Sequence, residues 1–209
     1  MAELDFLAFA QAPVATDPFP HLVVPGFVPA SRLLAILADL PPMARRGSFP
    51  IGSLRLGPAA RAMVAELEGP RLRAAIAGRF GLELDDAPTM VTLRGQSTER
   101  DGLIHTDSRA KRVTLLLYLN PETEAWARQE GCLRLLRGPD DIEDYAVEVP
   151  PVNGTLLVFP NAPNAWHGHK PFLGRRYVLQ LNYMTTDVAA RSELRRHRLS
   201  ALVKRLMAA

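Results

Sequence analysis

Val113-Thr114-Leu115-Leu116-Leu117-Tyr118-Leu119-Asn120 is the clearest strand pattern in this sequence, and it lies among several shorter runs of the same kind. From about Thr89 to Met184 the chain consists of β-branched or leucine-rich runs separated by turn residues. This pattern is typical of an antiparallel sandwich or barrel. The other clear strands are predicted over 131–136, 155–159 and 176–183.

Two connections within this segment carry their own signals. Asn153-Gly154 lies between Val147-Glu148-Val149 and Thr155-Leu156-Leu157-Val158-Phe159. Asn-Gly favours the left-handed backbone angles of a two-residue turn, so we expect these runs to form a β-hairpin. The connection from Pro121 to Glu130 is polar, and we expect it to be exposed.

Helical patterns flank the β segment on both sides. A short strand is predicted over 21–24, and Pro29, Pro58 and Pro70 then open three helices, each with apolar residues repeating on one face. A last helix is predicted from Asp187, basic around most of its surface. Its apolar stripe consists of Leu199, Leu202, Val203 and Leu206. The expected fold class is α+β with a mainly β core, in which the N-terminal helices pack on one sheet.

Length and composition limit the class of protein. The chain has 209 residues, of which 47% are hydrophobic, enough for one well-packed core. We expect a single domain with a helical part over about 1–85, a β core over about 86–185 and a C-terminal helix over about 187–207. Charges of both signs are interspersed and sum to only +3, so a nucleic-acid partner is not expected. The single cysteine, Cys132, excludes an intramolecular disulfide.

The N-terminus bears on location. An apolar stretch over 6–15 contains the signal-like Ala10-Gln11-Ala12, but Glu3 and Asp5 flank it and no basic residue precedes Arg32. A secretory signal has a basic flank, so we expect no export and a cytoplasmic protein. No segment reaches the length of a membrane-spanning helix. The C-terminal helix is the first surface to examine for a homodimer contact.

His105-Thr106-Asp107 is the motif that carries chemistry. In this composition roughly 0.5 matches to His-x-Asp/Glu are expected by chance, so the context decides. Both residues follow the apolar pair Leu103-Ile104, and positions i and i+2 of an extended segment project to the same side. His167 is the preferred third ligand, and His169, which has the same parity, competes for this role. Two histidines and a carboxylate on one face of a metal suit a non-haem Fe(II) oxygenase.

Arg176 begins a strand with two unlike faces. The face opposite Arg176 is suited to packing beneath the N-terminal helices and consists of Tyr177, Leu179, Leu181 and Tyr183. Arg176 itself points inward, where a guanidinium is costly to bury unless a carboxylate meets it. Its bidentate fork suits the far carboxylate of a dicarboxylic acid. Arg175 has the opposite parity and is the weaker anchor candidate.

The order His-x-Asp, distal His and Arg-Tyr, with the 113–120 run and Gly131-Cys132-Leu133-Arg134-Leu135, resembles the Fe(II)- and 2-oxoglutarate-dependent dioxygenases, above all the prolyl-4-hydroxylase-like enzymes. The resemblance implies a double-stranded β-helix (jelly-roll) and an enzyme that hydroxylates its substrate. It assigns His105, Asp107 and His167 to iron and Arg176 to the distal carboxylate of 2-oxoglutarate. By the same likeness Tyr118 also contacts that carboxylate, Leu133 lines the pocket, and His169 lies beside it.

The same resemblance implies O2 as second co-substrate and ascorbate as a candidate reductant. The prime substrate stays open between a peptide residue and a small molecule. Where relatives often have a tyrosine upstream of His-x-Asp, this chain has Leu93-Arg94-Gly95-Gln96. Arg94 and Arg109 are the candidate substrate-facing residues, although such basic residues more often form a solvated surface.

Two other functions fit part of the pattern. Two histidines and a carboxylate with an open position also suit a catalytic zinc hydrolase, but that reading leaves Arg176 and Tyr118 unexplained. A non-catalytic jelly-roll module would keep the pocket and bind the co-substrate without turnover.

Overall fold

The computed structural model describes residues 4–43, 45–122, 126 and 128–206 of the chain. Its helices are α1 (Phe6–Gln11), α2 (Ala30–Asp39), α3 (Pro58–Glu68), α4 (Pro70–Phe80) and α5 (Val188–Leu206), with a short 3-10 helix at Ile51–Ser53. Its strands are β1 (Leu22–Val24), β2 (Phe49–Pro50), β3 (Thr89–Ser97), β4 (Lys111–Tyr118), β5 (Leu133–Leu136), β6 (Tyr145–Val149), β7 (Leu156–Pro160), β8 (His167–His169) and β9 (Gly174–Met184).

The N-terminal helices begin where proline predicts them. Pro58 and Pro70 occupy the first helical positions of α3 and α4, where the amide that proline lacks would have no partner within the helix. Gly81, with a φ of 64°, ends α4 in the left-handed conformation. The sequence patterns did not predict α1, a single short helix capped by Asp5, whose carboxylate accepts from the amides of Leu7 and Ala8.

Two antiparallel sheets form the β core. The large sheet has the order β1-β7-β4-β9-β3-β2, and the small sheet has the order β6-β5-β8. Because β5, β6 and β8 lie in the small sheet while β4, β7 and β9 lie in the large one, the chain crosses repeatedly from one sheet to the other. This arrangement confirms the expected α+β class with a mainly β core.

The strand alternation sets the two faces of the large sheet. On β4, Leu115 and Leu117 belong to the core beneath the helices, whereas Leu116 and Tyr118 belong to the core between the sheets. On β9, Leu179 joins the first core and its neighbours of opposite parity face inward. The predicted packing of the N-terminal helices on one sheet is therefore confirmed, and the opposite face of that sheet lines the interior.

The expected hairpin around Asn153-Gly154 is wrong in its pairing, although the turn is present. Both residues have positive φ, 53° and 69°, and the Thr155 amide donates to the carbonyl of Val152. The flanking strands nevertheless lie in different sheets, because β6 pairs with β5 and β7 pairs with β4 and β1. β7 is buried on both faces and requires a central position, whereas β6 is half-buried and forms an edge.

The other connection, over 121–130, is only partly exposed. Pro121 and Glu122 are exposed, but the Trp126 side chain is buried and its ring lies 4.6 Å from that of Phe172. Residues 123–125 and 127 lie outside the described part, so the prediction is untested there. Packing against an aromatic partner from a distant segment is not encoded in the local polarity.

The C-terminal helix α5 begins close to the predicted start. In its predicted apolar stripe Leu199 is 62% exposed, and the side chains of Leu202, Val203 and Leu206 lie outside the described part. No helix among the described residues is long and apolar enough to cross a membrane.

Candidate metal centre and co-substrate pocket

The metal-ligand candidates meet where an extended segment joins the edge of the small sheet. His105 and His167 form an isolated antiparallel bridge in which each amide donates to the other carbonyl over 3.0 Å. The segment before His105 continues alongside β8, since the His169 amide donates to the Gly102 carbonyl. A Cβ at Gly102 would lie 2.4 Å from the His169 ring, so this close approach requires glycine.

Both histidines have the ring orientation that a metal ligand needs. Nδ1 of His105 donates to the Leu103 carbonyl over 2.8 Å, and Nδ1 of His167 donates to the Ala165 carbonyl over 2.9 Å. A proton fixed on Nδ1 leaves the lone pair of Nε2 free for a metal. Burial lowers the pKa of His167 to about 4, so this imidazole is neutral at physiological pH.

Asp107 is buried among donors. Its carboxylate accepts from the Lys111 ammonium and the Thr114 hydroxyl, and its side chain is only 4% exposed. Burial acts to raise the pKa of Asp107, but the Lys111 charge and these hydrogen bonds hold that pKa below its usual value. The carboxylate is therefore ionised, as metal ligation requires.

These side chains fit a divalent metal. One potential ligand atom each from His105, Asp107 and His167 lies within 4.8 Å of the others. Two imidazoles and one carboxylate form the donor set of the facial triad. His105 is exposed and His167 is buried, so solvent reaches the cluster on the His105 side.

Arg176 and Tyr118 carry buried polar groups that are not fully matched by the described residues. Arg176 is buried, and its Nε donates to the Gly131 carbonyl over 2.9 Å. No ion pair among the described residues includes it. The fully buried Tyr118 hydroxyl also lacks a partner there, and the Arg176 guanidinium carbon lies 5.5 Å from the Tyr118 ring centroid. Buried donors are normally satisfied, so this pair fits a carboxylate ligand.

A cavity of about 190 Å³ joins the metal ligands to this pair. It is lined by nearly all the residues predicted for the site and by others that sequence reasoning did not assign to it. The predicted ones are His105, Asp107, His167, Arg176, Tyr118, Leu133, His169 and Arg94. The additional ones are Gly102, Lys111, Thr114, Leu116, Gly168, Val178 and Gln180.

The two candidate substrate-facing arginines differ in position. Arg94 lines the cavity, and its guanidinium donates to Ser48 Oγ over 2.7 Å and pairs with Asp101 at 3.2 Å. Arg109 is exposed and is not among the described residues that line the cavity. A role for Arg109 in substrate binding stays a prediction.

The positions of His169 and Arg175 bear on two choices that the sequence left open. His169 lines the cavity, but it is not part of the cluster formed by the other two histidines and Asp107. Burial lowers the pKa of His169 to about 4, and the nearby Arg176 charge acts in the same direction. Arg175 is exposed, so the geometry favours Arg176 as the inward-facing arginine.

Comparison with known proteins shows which family the β segment resembles. Residues 94–184 match the sequence model of the 2OG-Fe(II) oxygenase superfamily. No curated protein matches the chain significantly.

Several solved structures share the fold. A prolyl-4-hydroxylase from Pseudomonas putida superposes with a TM-score of 0.60 and 22% identity, over 79% of this chain and 86% of its own. A viral collagen prolyl hydroxylase from Paramecium bursaria Chlorella virus-1, solved as a 2OG complex, gives 0.57 and 12% over 83% and 99%. A Trichoplax adhaerens prolyl hydroxylase, solved with a hypoxia inducible factor peptide fragment, gives 0.50 and 19% over 90% and 87%.

These matches confirm the predicted jelly-roll fold and the resemblance to prolyl-4-hydroxylase-like oxygenases. Family and neighbours are oxidoreductases, and the family implies Fe(II) and 2-oxoglutarate, which the donor set and the unmatched arginine fit. Residues 94–184, a little under half of the chain, therefore resemble the 2OG-Fe(II) oxygenase superfamily.

Proposed function

We propose that this protein hydroxylates a prime substrate in an Fe(II)- and 2-oxoglutarate-dependent reaction that releases succinate and CO2. The observation that carries the proposal is a buried arginine that has no carboxylate partner among the described residues and lies in the cavity that holds His105, Asp107 and His167. A site that only bound a metal would have no use for this charge. Fe(II), O2 and 2-oxoglutarate supply the oxidative chemistry, which no side chain provides.

The chain contributes ligation, orientation and exclusion of water. His105, Asp107 and His167 would hold the metal, with each histidine fixed by its Nδ1 hydrogen bond. Arg176 would bind the distal carboxylate of 2-oxoglutarate through two parallel hydrogen bonds, which define direction as well as distance. Tyr118 would donate a further hydrogen bond, because burial raises its pKa to about 12 and the phenol stays protonated.

The apolar part of the cavity would keep the co-substrate dry. Leu116, Leu133 and Val178 line it between the two sheets. In a site without water the interaction between guanidinium and carboxylate is stronger than in solution.

The prime substrate is proposed to be a residue of a peptide or a small molecule. The peptide option rests on the neighbouring structures described as prolyl hydroxylases, one of them solved with a peptide fragment. Ascorbate is the proposed reductant for turnovers that do not complete hydroxylation.

The decisive experiment measures succinate with Fe(II), O2 and 2-oxoglutarate while proline peptides, free amino acids and other small molecules are screened. We expect one class of compound to stimulate succinate release and its members to gain the mass of one oxygen. His105→Ala should reduce that turnover by roughly 100-fold or more, because groups that only support metal ligands already contribute about 10- to 100-fold. Unchanged turnover in His105→Ala would overturn the proposal. Retained 2-oxoglutarate binding without oxygen consumption would favour a non-catalytic module, and zinc-dependent hydrolysis would favour a hydrolase.

A further inference from the structure

Lys111 occupies a position that the proposed chemistry does not explain. Its ammonium donates to Oδ1 of Asp107, and its side chain lies in the cavity wall and is only 14% exposed. Both the cation and the carboxylate are withdrawn from solvent, where a charge pair interacts more strongly than at the surface. This ion pair therefore bears directly on a proposed metal ligand.

The second oxygen of the same carboxylate is also engaged. The Thr114 hydroxyl donates to Oδ2 of Asp107, and Thr114 is buried on the inward face of β4. A metal that binds either oxygen therefore enters a site where the carboxylate charge is already matched by an ammonium. Asp107 and Lys111 sum to zero before the metal arrives, and a divalent ion adds two positive charges beside Lys111.

We propose that the Lys111 ammonium neutralises the Asp107 carboxylate until a metal binds, and that the metal binds in competition with this ammonium. This inference rests on the proposed function only in so far as His105, Asp107 and His167 hold a metal. In the metal-free protein the ammonium prevents an unpaired buried carboxylate, which would be strongly destabilising. In the loaded protein the same ammonium repels the ion and limits its affinity.

Two simpler roles for Lys111 predict a different change in metal affinity when the ammonium is removed. If the ammonium only oriented the carboxylate for the metal, its removal would weaken metal binding, as the loss of other supporting groups around metal ligands does. If it were a surface charge without a role, its removal would change nothing. Competition alone predicts tighter binding when the charge is removed.

The test uses Co(II) as an oxygen-insensitive probe, titrated calorimetrically into the full-length protein without 2-oxoglutarate. Lys111→Met should bind Co(II) about tenfold more tightly than the unsubstituted protein, because the repulsion is lost. Lys111→Arg, which keeps the charge, should stay within about twofold. Lys170→Met is the matched control, because it removes the same charge at a distance from Asp107. Lys170 pairs with the exposed Glu143.

Thermal unfolding gives a second readout. The upward shift in Tm on adding Co(II) should be larger in Lys111→Met than in the unsubstituted protein, since tighter binding to the folded state stabilises it more. Lys111→Gln serves the same comparison if the methionine variant does not fold. Equal or weaker Co(II) binding by the charge-free variant would overturn this inference alone, whereas no Co(II) binding by the unsubstituted protein would overturn the proposed function as well.

Discussion

Arg134 on the outer face of the small sheet and Arg176 on the inner face of the large sheet are both buried, but their surroundings differ. Arg134 is 0% exposed, donates from Nε to Glu148 over 2.7 Å, and pairs with Glu143 at 2.9 Å. It also donates to the Ile142 carbonyl and lies over the Tyr145 ring. Arg176 has one backbone acceptor and no carboxylate among the described residues.

The directions of the two pKa shifts reflect the same difference. Burial acts to lower the pKa of Arg134, but Glu148 and Glu143 outweigh it and raise that pKa. Burial lowers the pKa of Arg176, and nothing beside it compensates fully. A buried arginine matched by the protein's own carboxylates stabilises the fold, whereas an unmatched one is a binding group for an external anion.

The largest effect is expected from Arg134→Met. It leaves Glu148, whose side chain is 14% exposed, without its partner, so the free energy of unfolding should fall by about 3 to 4 kcal/mol. Urea unfolding measures this loss. The double variant Arg134→Met/Glu148→Gln should recover part of it, because no unpaired charge remains. If Arg134→Met proved as stable as the parent, Arg134 would not have the structural role assigned to it.

Arg176→Met should have the opposite profile. The affinity for 2-oxoglutarate should fall by about 2 to 3 kcal/mol, equivalent to about 30- to 150-fold, because the distal carboxylate loses its partner. Stability should be unchanged or higher, since an unmatched buried charge is replaced by an apolar chain. Titration of 2-oxoglutarate into Co(II)-loaded protein measures the affinity.

Arg175→Met is the control for that experiment, because Arg175 is the exposed neighbour on the same strand. It should change neither the affinity nor the stability appreciably. A loss of stability in Arg176→Met together with unchanged 2-oxoglutarate affinity would place Arg176 in the same class as Arg134.

Of the substitutions at the buried residues Arg134, Arg176 and Tyr118, Tyr118→Phe should give the smallest effect. Its hydroxyl has no partner among the described residues, so removal should cost no stability, and 2-oxoglutarate binding should weaken by about 1 kcal/mol, roughly fivefold. With the pKa raised to about 12, the phenol stays a donor, and the affinity of the parent should not fall from tyrosine ionisation between about pH 7 and pH 9. Equal affinities of parent and variant would remove Tyr118 from the anchor.

Much of this site is readable from local sequence patterns. His105 and Asp107 are two residues apart on an extended segment, and the alternation on β9 directs Arg176 inward and Arg175 outward. Both inferences need only the period of a strand. The same holds for the helices that Pro58 and Pro70 begin.

Lys111 shows where this reasoning fails. Regular alternation would place it with Val113, beneath the helices, but the pairing of β4 with β9 shifts register between these two residues. Such a β-bulge reorients the side chains before it, so Lys111 lines the cavity. A bulge forms through pairing with a distant strand, so the local sequence pattern does not predict it.

The sequence by itself determined which side chains could bind a metal and an anion, because residue type and strand period are local properties. Only the tertiary structure decided that β6 and β7 separate into different sheets and that Lys111 meets Asp107. It also decided that, in the part of the chain that the structure describes, Arg134 has two carboxylates beside it and Arg176 has none. These outcomes depend on which distant segments are packed together. Burial and charge matching are properties of the assembled fold, and they distinguish a structural arginine from a binding one.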